Sequence, residues 1–424
     1  MKIKMFYILL ALAFVSAGTV YSQNDKNGGS VYSIFGLGDL SYSSSARTDG
    51  MGILGLSLYG NYTNSLNPAA WTRIPTTKFT TRFNFENLRS SDGTRESKRT
   101  YGNFEGFNLS VPINTGNGWI FDAGINNYSQ VNYDIQVPGA VDNEKYTQYF
   151  NGNGGITRIS LGFSYIILRN FSFGAQINYA FGNINKQNSI DFENSELFNT
   201  KNIYSNSISG IYVNTGLIFH GFGKLLKNKK LDNLTVGAYF STPAVFRSTV
   251  TGKYNKSTGI DSINVSESDL KIPLAIGFGI SNEFNDKLVV AADFYMQNWD
   301  NYKIRNSSGI ETHPVEIKSN MRVGAGLEYT PSKKLESSLF ERASYRIGGF
   351  YAADYLKIND ESINTIGLST GLSVPISRFN SIDFVFGYKI RGKSTNGLVK
   401  DNVFHFGASV NIGELWFLKP TEEY

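Results

Sequence analysis

From about Thr76 to Gly413 apolar and polar residues alternate, segment after segment, with Gly, Asn, Asp, Ser and Lys between them. This period of two is the signature of strands with one greasy and one polar face. In Ser381 to Arg391 the apolar set is Ile382, Phe384, Phe386, Tyr388 and Ile390, against Asp383, Gly387, Lys389 and Arg391. In Met321 to Tyr329 the residues Met321, Val323, Ala325, Leu327 and Tyr329 oppose Arg322, Gly324, Gly326 and Glu328. In Tyr345 to Tyr355 the set Tyr345, Ile347, Tyr351 and Tyr355 opposes Arg346 and Asp354. The segments run approximately 76 to 88, 103 to 112, 118 to 137, 145 to 168, 171 to 190, 203 to 220, 232 to 250, 268 to 284, 287 to 304, 315 to 331, 341 to 357, 361 to 376, 379 to 395 and 400 to 413. That is about fourteen strands, an even number that suits a closed antiparallel barrel.

Alternation over this length fits either a soluble all-β fold with a dry core or a membrane barrel with lipid outside and a polar lumen. Strands of soluble sandwiches average about five or six residues, whereas most of these exceed the roughly nine to eleven needed to cross a bilayer. Aromatic residues near the strand ends, Trp119, Tyr165, Tyr179 and Trp299, match interfacial girdles. No fixed repeat supports a propeller. The expected fold is therefore all-β, a transmembrane antiparallel β-barrel of about 14 strands over 76–413. The last strand, with Phe404, Phe406, Ala408, Val410 and Ile412 on one face, is followed by a tail, 414–424.

Lys2 and Lys4 precede the apolar run Met5 to Val15, and Val20 and Ser22 put small residues before a cut at Gln23. Residues 1–22 thus read as a signal peptide, and the expected location is the bacterial outer membrane. Beyond it no run of 18 apolar residues offers a membrane helix. The composition, with 31 Phe, 25 Tyr, 43 Gly and no Cys, excludes a disulfide scaffold and disorder. Without Lys2 and Lys4 the net charge drops from +5 to about +3, spread along the chain, which argues against a nucleic-acid partner.

Residues 23–75 lack the alternation. Asn64-Ser65-Leu66-Asn67-Pro68-Ala69-Ala70-Trp71 predicts a short helix with Asn67 as N-cap and Pro68 at the first position, ending before Pro75. About fifty apolar and Gly-rich residues cannot lie in lipid unless their backbone groups are satisfied internally, so the expected place is inside the barrel, as a plug or hatch.

The chain resembles the FadL/TodX outer-membrane transporters of long-chain fatty acids and aromatic hydrocarbons. The resemblance rests on Gly50-Met51-Gly52-Ile53-Leu54-Gly55 with Asn67-Pro68-Ala69, similar to that family's hatch and NPA motif. It continues through Leu270 to Gly277, Leu288 to Asp293 with Asn298-Trp299, Arg322 to Pro331, and Arg346 to Tyr351. It implies a fourteen-stranded barrel blocked by the hatch, an apolar ligand entering from outside, and exit sideways through a wall defect. The Asn-, Tyr- and Lys-rich composition is similar to members from Bacteroidetes. In the third strand the alternation breaks at Asn126-Asn127 and resumes through Tyr133, Ile135 and Val137, which reads either as a bulge or kink or as a turn or strand extension beyond the membrane.

Gly50, Gly52 and Gly55 formally match a dinucleotide-binding G-x-G-x-x-G, but no βαβ pattern surrounds them, so hatch flexibility is the better reading. His220, His313 and His405 stand far apart without ligand partners, and no metal or cofactor is expected. His405 and Ser409 share a face, yet four residues along a strand is roughly 13 Å, too far for direct activation, and no enzyme is expected. The lumenal charges Arg82, Glu86, Asp122, Asp293, Arg322, Glu328, Arg346, Asp354, Asp383, Lys389 and Arg391 are expected mainly to pair across strands and hold the plug.

The expected function is diffusive uptake of hydrophobic small molecules, driven by burial of apolar ligand surface. The candidate ligand-binding or gating residues are Phe35, Leu37, Met51, Ile53, Leu54, Leu56, Asn67, Pro68 and Ala69. Outer-membrane lipid and lipopolysaccharide would surround the barrel. The alternative is a protein-binding barrel accessory to type IX secretion. A transporter predicts an apolar pocket against the hatch, and a secretion partner predicts long extracellular loops; the polar stretches 185–202 and 251–267 are loops of moderate length on this reading.

Overall fold

A computed structural model describes residues 29–42, 45–60, 62–194, 196–223, 227–256, 259–300, 304–306, 311–312 and 316–416. The segment 1–22 expected to be a signal peptide, Gln23, His313 and most of the C-terminal tail lie outside the described residues.

Fourteen antiparallel strands close into a barrel. They are β1 (Thr77–Ser91), β2 (Glu96–Asn114), β3 (Trp119–Val141), β4 (Glu144–Leu168), β5 (Phe171–Phe192) and β6 (Thr200–His220). Two strands follow in two pieces each, β7 (Thr235–Ser241 and Ala244–Lys256) and β8 (Gly259–Ile272 and Ala275–Phe284). The rest are β9 (Leu288–Gln297), β10 (Asn320–Tyr329), β11 (Ser344–Ile358), β12 (Glu361–Pro375), β13 (Ser381–Arg391) and β14 (Lys400–Glu414). Pairing of β1 with β14 from Thr77 opposite Glu414 to Ser91 opposite Lys400 closes the ring and leaves no edge there. The breaks in β7 and β8 fall side by side at Pro243 and Pro273, because proline has no N–H to give the ladder.

The alternation sorts as expected. On β10 Val323, Leu327 and Tyr329 are exposed outward while Gly324, Gly326 and Glu328 are buried toward the lumen. Such outward apolar rows recur on β4, β5, β6, β12 and β14, and only lipid can cover so large a greasy surface on a closed barrel. Two residues depart from the sequence reading. Trp299 is buried, its ring centre 5.3 Å from that of Tyr355 and tilted against it inside the barrel, and is not part of a girdle. Tyr355 also points inward, because it lies in an irregular stretch between Ala353 and Lys357 where the β11–β12 register shifts by two residues and the alternation breaks. The stretches 185–202 and 251–267, read as loops, are largely strand, so these hairpins extend the wall upward.

The described residues of 29–76 fold within the lumen. Ser45 caps the short helix α1 (Ala46–Gly50) by accepting from the Arg47 N–H, and Asn67 caps a 3-10 helix, Pro68–Arg73, by accepting from the Ala69 N–H at 3.0 Å. The Asn67 amide also donates to the Leu56 carbonyl at 2.6 Å, tying the two ends of the plug's central loop.

Inward glycines let the plug backbone touch the wall. A Cβ at Gly348 would sit 1.9 Å from the Met51 carbonyl oxygen, and one at Gly216 would sit 1.8 Å from Asn67 Oδ1. Gly216→Val should therefore force the NPA turn off its seat and cost at least about 1–3 kcal/mol. A urea unfolding midpoint unchanged from wild type would contradict this packing.

Candidate functional site: the plugged lumen and its wall gap

The wall is incomplete on one side. β2 and β3 pair only from Asn114 opposite Trp119 up to Gly106 opposite Asn126, and among the described residues no ladder joins them above that point. The seven steps from Trp119 to Asn126 cover roughly 23 Å along the strand, hence roughly 17 Å of height at a tilt of about 40°. The apolar band of such barrels is about 25 Å tall, so the separation begins within it. The break foreseen at Asn126-Asn127 is a bulge in a continuous strand, since the β3–β4 register shifts between Asn127 and Ser129 and pairing then continues to Val141. The turn reading of that stretch is thereby excluded.

The plug covers the free edge of β3 from inside. Its two-residue strand, Asp39–Leu40, pairs with Gln130 and Ser129, and the Ser41 N–H donates to the Tyr128 carbonyl at 2.9 Å. Only side chains cross the gap itself. Asn127 Nδ2 donates to Asn103 Oδ1 at 3.2 Å and to the Phe104 carbonyl at 2.8 Å, and Arg99 donates to the Asp134 carbonyl.

Behind the gap lies a cavity of about 280 Å³ bounded by Tyr101, Asn103 and Glu105 of β2, Asn127, Gln130 and Asn132 of β3, and Leu40, Tyr42, Ile53 and Leu54 of the plug. Its far wall is charged. Arg82 donates to Asp49 of the plug at 2.5 Å, with His405 Nε2 at 3.3 Å from the same oxygen. Burial by itself would push the Asp49 carboxyl up, but Arg82 and His405 hold it well below the usual carboxylate range. Lys389 pairs with Glu86 at 2.8 Å, and Arg391 bridges Asp39 of the plug at 2.6 Å and Asp354 of the wall. Arg322 differs: its guanidinium lies 3.6 Å from the centre of the Phe350 ring, and among the described residues no carboxylate pairs with it. The pocket foreseen against the hatch as apolar is thus lined by charged and apolar side chains alike.

Below the cavity two anchors fix the plug. Glu328 accepts from Arg47 at 2.8 and 2.6 Å and from Arg346 at 2.7 Å. One oxygen of Asp293 accepts three consecutive plug amides, Leu54 at 2.9 Å, Gly55 at 2.5 Å and Leu56 at 3.2 Å. Of the lumenal charges, Arg82, Asp293, Glu328 and Arg391 thus hold the plug, and Glu86, Lys389, Arg346, Asp354 and Asp383 pair across the wall, whereas Asp122 meets Ser110 and Arg322 meets Phe350.

The candidate ligand residues do not gather into one site. Phe35 and Leu37 pack in an upper apolar cluster with Tyr32, Val131, Tyr133, Trp299 and Tyr355. Met51 and Ile53 pack with Leu58 and Tyr62, Leu54 and Leu56 with Leu66, Tyr239 and Tyr295, and Ala69 beneath Ile218. Asn67 and Pro68 are buried in the turn they build. Of the nine, only Ile53 and Leu54 border the cavity. The sequence reading passed over Asp39, Tyr42 and Asp49, although two carboxylates in an apolar plug opposite lumenal arginines were a usable signal.

Solved structures with this architecture include the CymD monoaromatic hydrocarbon channel, at 16% identity and TM-score 0.57, covering 90% of this chain and 99% of that one. A Pseudomonas aeruginosa FadL homologue matches at 13% identity and TM-score 0.60, covering 89% of this chain and 99% of that one. The Ralstonia pickettii toluene transporter TbuX matches at 14% identity and TM-score 0.56, covering 87% of this chain and 100% of that one. At these identities the likeness is one of fold. No curated protein matches the chain. The BamG family model matches residues 2–421, so that this plugged fourteen-stranded barrel belongs to the BamG family.

Proposed function

We propose that the protein is an outer-membrane channel that takes hydrophobic small molecules from outside the cell and passes them through the barrel wall. The observation that carries this reading is the separation of β2 from β3, which begins within the apolar band, opens on the cavity and is closed, among the described residues, by the plug strand Asp39–Leu40 and by the bridging side chains of Asn127 and Arg99. Its structural neighbours include channels for a monoaromatic hydrocarbon and for toluene. The upper cluster around Phe35 and Leu37 supplies the apolar surface, and movement of that plug segment frees it for a ligand. The charged cavity below favours an amphiphile such as a long-chain fatty acid over a bare hydrocarbon, since burying an apolar molecule among ion pairs gains little. No specific observation favours the secretion alternative.

Titration of the purified protein in detergent with a fluorescent long-chain fatty acid tests the reading. Saturable binding is expected, and Asn67→Ala should weaken it by loosening the plug turn that Asn67 caps and ties to Leu56. Absence of binding by folded protein would overturn the proposal.

A further inference from the structure

A second cavity of about 320 Å³ lies under the plug at the end of the barrel where β6 finishes and β7 begins, bordered by Ser57, Leu58, Arg73, His220, Asn282 and Glu283. The two cavities meet opposite sides of one plug segment. Ile53 and Leu54 face the upper cavity, while Ser57 and Leu58 face the lower one. Between them sit Leu54, Gly55 and Leu56, the amides gathered on Asp293 of β9. Between the two spaces lies the Leu54–Leu56 loop, held by Asp293 of the wall and tied within the plug by Asn64 to the Gly55 carbonyl and by Asn67 to the Leu56 carbonyl.

We infer that the barrel contains a second, axial passage, for small water-soluble ions, closed by the Leu54–Leu56 loop latched to Asp293. Its chemistry differs from that of the wall gap, and it stands or falls apart from hydrophobic uptake. Both cavities carry charges of both signs, and a polar lining repels apolar solutes but accepts hydrated ions. Six carboxylate side chains against four Arg and Lys border the upper cavity, which favours cations. The positive φ of 67° at Gly52 and of 76° at Gly55 place turns before the loop and at its centre, and one carboxylate oxygen gathers its three amides.

Conductance of the full-length protein in planar bilayers with potassium chloride tests the inference. Asp293→Ala should raise single-channel conductance several-fold over wild type, with a reversal potential favouring potassium over chloride. Cysteines at Ser57 and Ser281, whose hydroxyl donates to the Ser57 carbonyl at 3.2 Å, tether the loop to the wall. Oxidising that tether in the Asp293→Ala background should abolish the gain, and reduction should restore it. Conductance equal to wild type in folded Asp293→Ala, or a gain that persists with the tether closed, would overturn the axial passage. Should Asp293→Ala fail to fold, Asp293→Asn, which keeps the side-chain volume but removes the charge from the latch, takes its place: conductance equal to wild type in the folded variant, or a gain that persists with the tether closed, refutes the passage.

Discussion

Glu328→Ala should release the plug while leaving the barrel closed. Glu328 is the shared acceptor of two guanidinium groups, Arg47 on the plug and Arg346 on β11, and all three side chains are at most 13% exposed. Without it Arg47 and Arg346 face each other, and the remaining carboxylate, Asp383, stands 3.8 Å from Arg346. Stranding buried charge in this way costs about 3–5 kcal/mol. The barrel ladder does not depend on the carboxylate, since β10 and β11 pair from Met321 to Tyr329 through their backbones. The loss therefore falls on the plug. Trypsin, which barely reaches Arg47 in the wild type, should cut there in the variant while the barrel keeps its folded mobility on a gel. Adding Arg47→Ala removes one of the two stranded cations and should return part of the lost stability, a coupling that a double-mutant cycle measures. A plug that stays trypsin-resistant in Glu328→Ala would show that the Asp293 and Arg391 anchors suffice.

The barrel was legible because a membrane strand reports its two environments at every second residue. Fourteen segments stood out, and the NPA turn stood out because Asn67 and Pro68 each have a local conformational reason for their place. Reading failed where a local irregularity overrode the period. The bulge after Ala353 turned Tyr355 inward, and Trp299, just past the end of β9, joined it in the lumen instead of meeting lipid. The cavity was illegible for a different reason. Its charges come from plug and wall residues hundreds of positions apart, such as Asp39 with Arg391, and only the closed ring brings them together. Periodicity could mark Arg391 as lumenal but could not say that a plug carboxylate meets it. The nine apolar candidates were chosen by type and position, and the fold spreads them over several clusters because a plug must be greasy wherever it touches the wall.

The gap between β2 and β3 is the center of the functional account, and it can be shut. The chain has no cysteine, so Asn103→Cys with Asn127→Cys places the only two thiols on opposite sides of the gap, where the native side chains meet at 3.2 Å. The most direct measurement is uptake of a fluorescent long-chain fatty acid by cells carrying this double variant, with the pair joined by a disulfide or a short thiol cross-linker and then released by reduction or left unjoined. Uptake should match wild type with the pair open and drop to the level of cells without the barrel when it is joined. Equal uptake in the joined and open states would contradict passage through this wall.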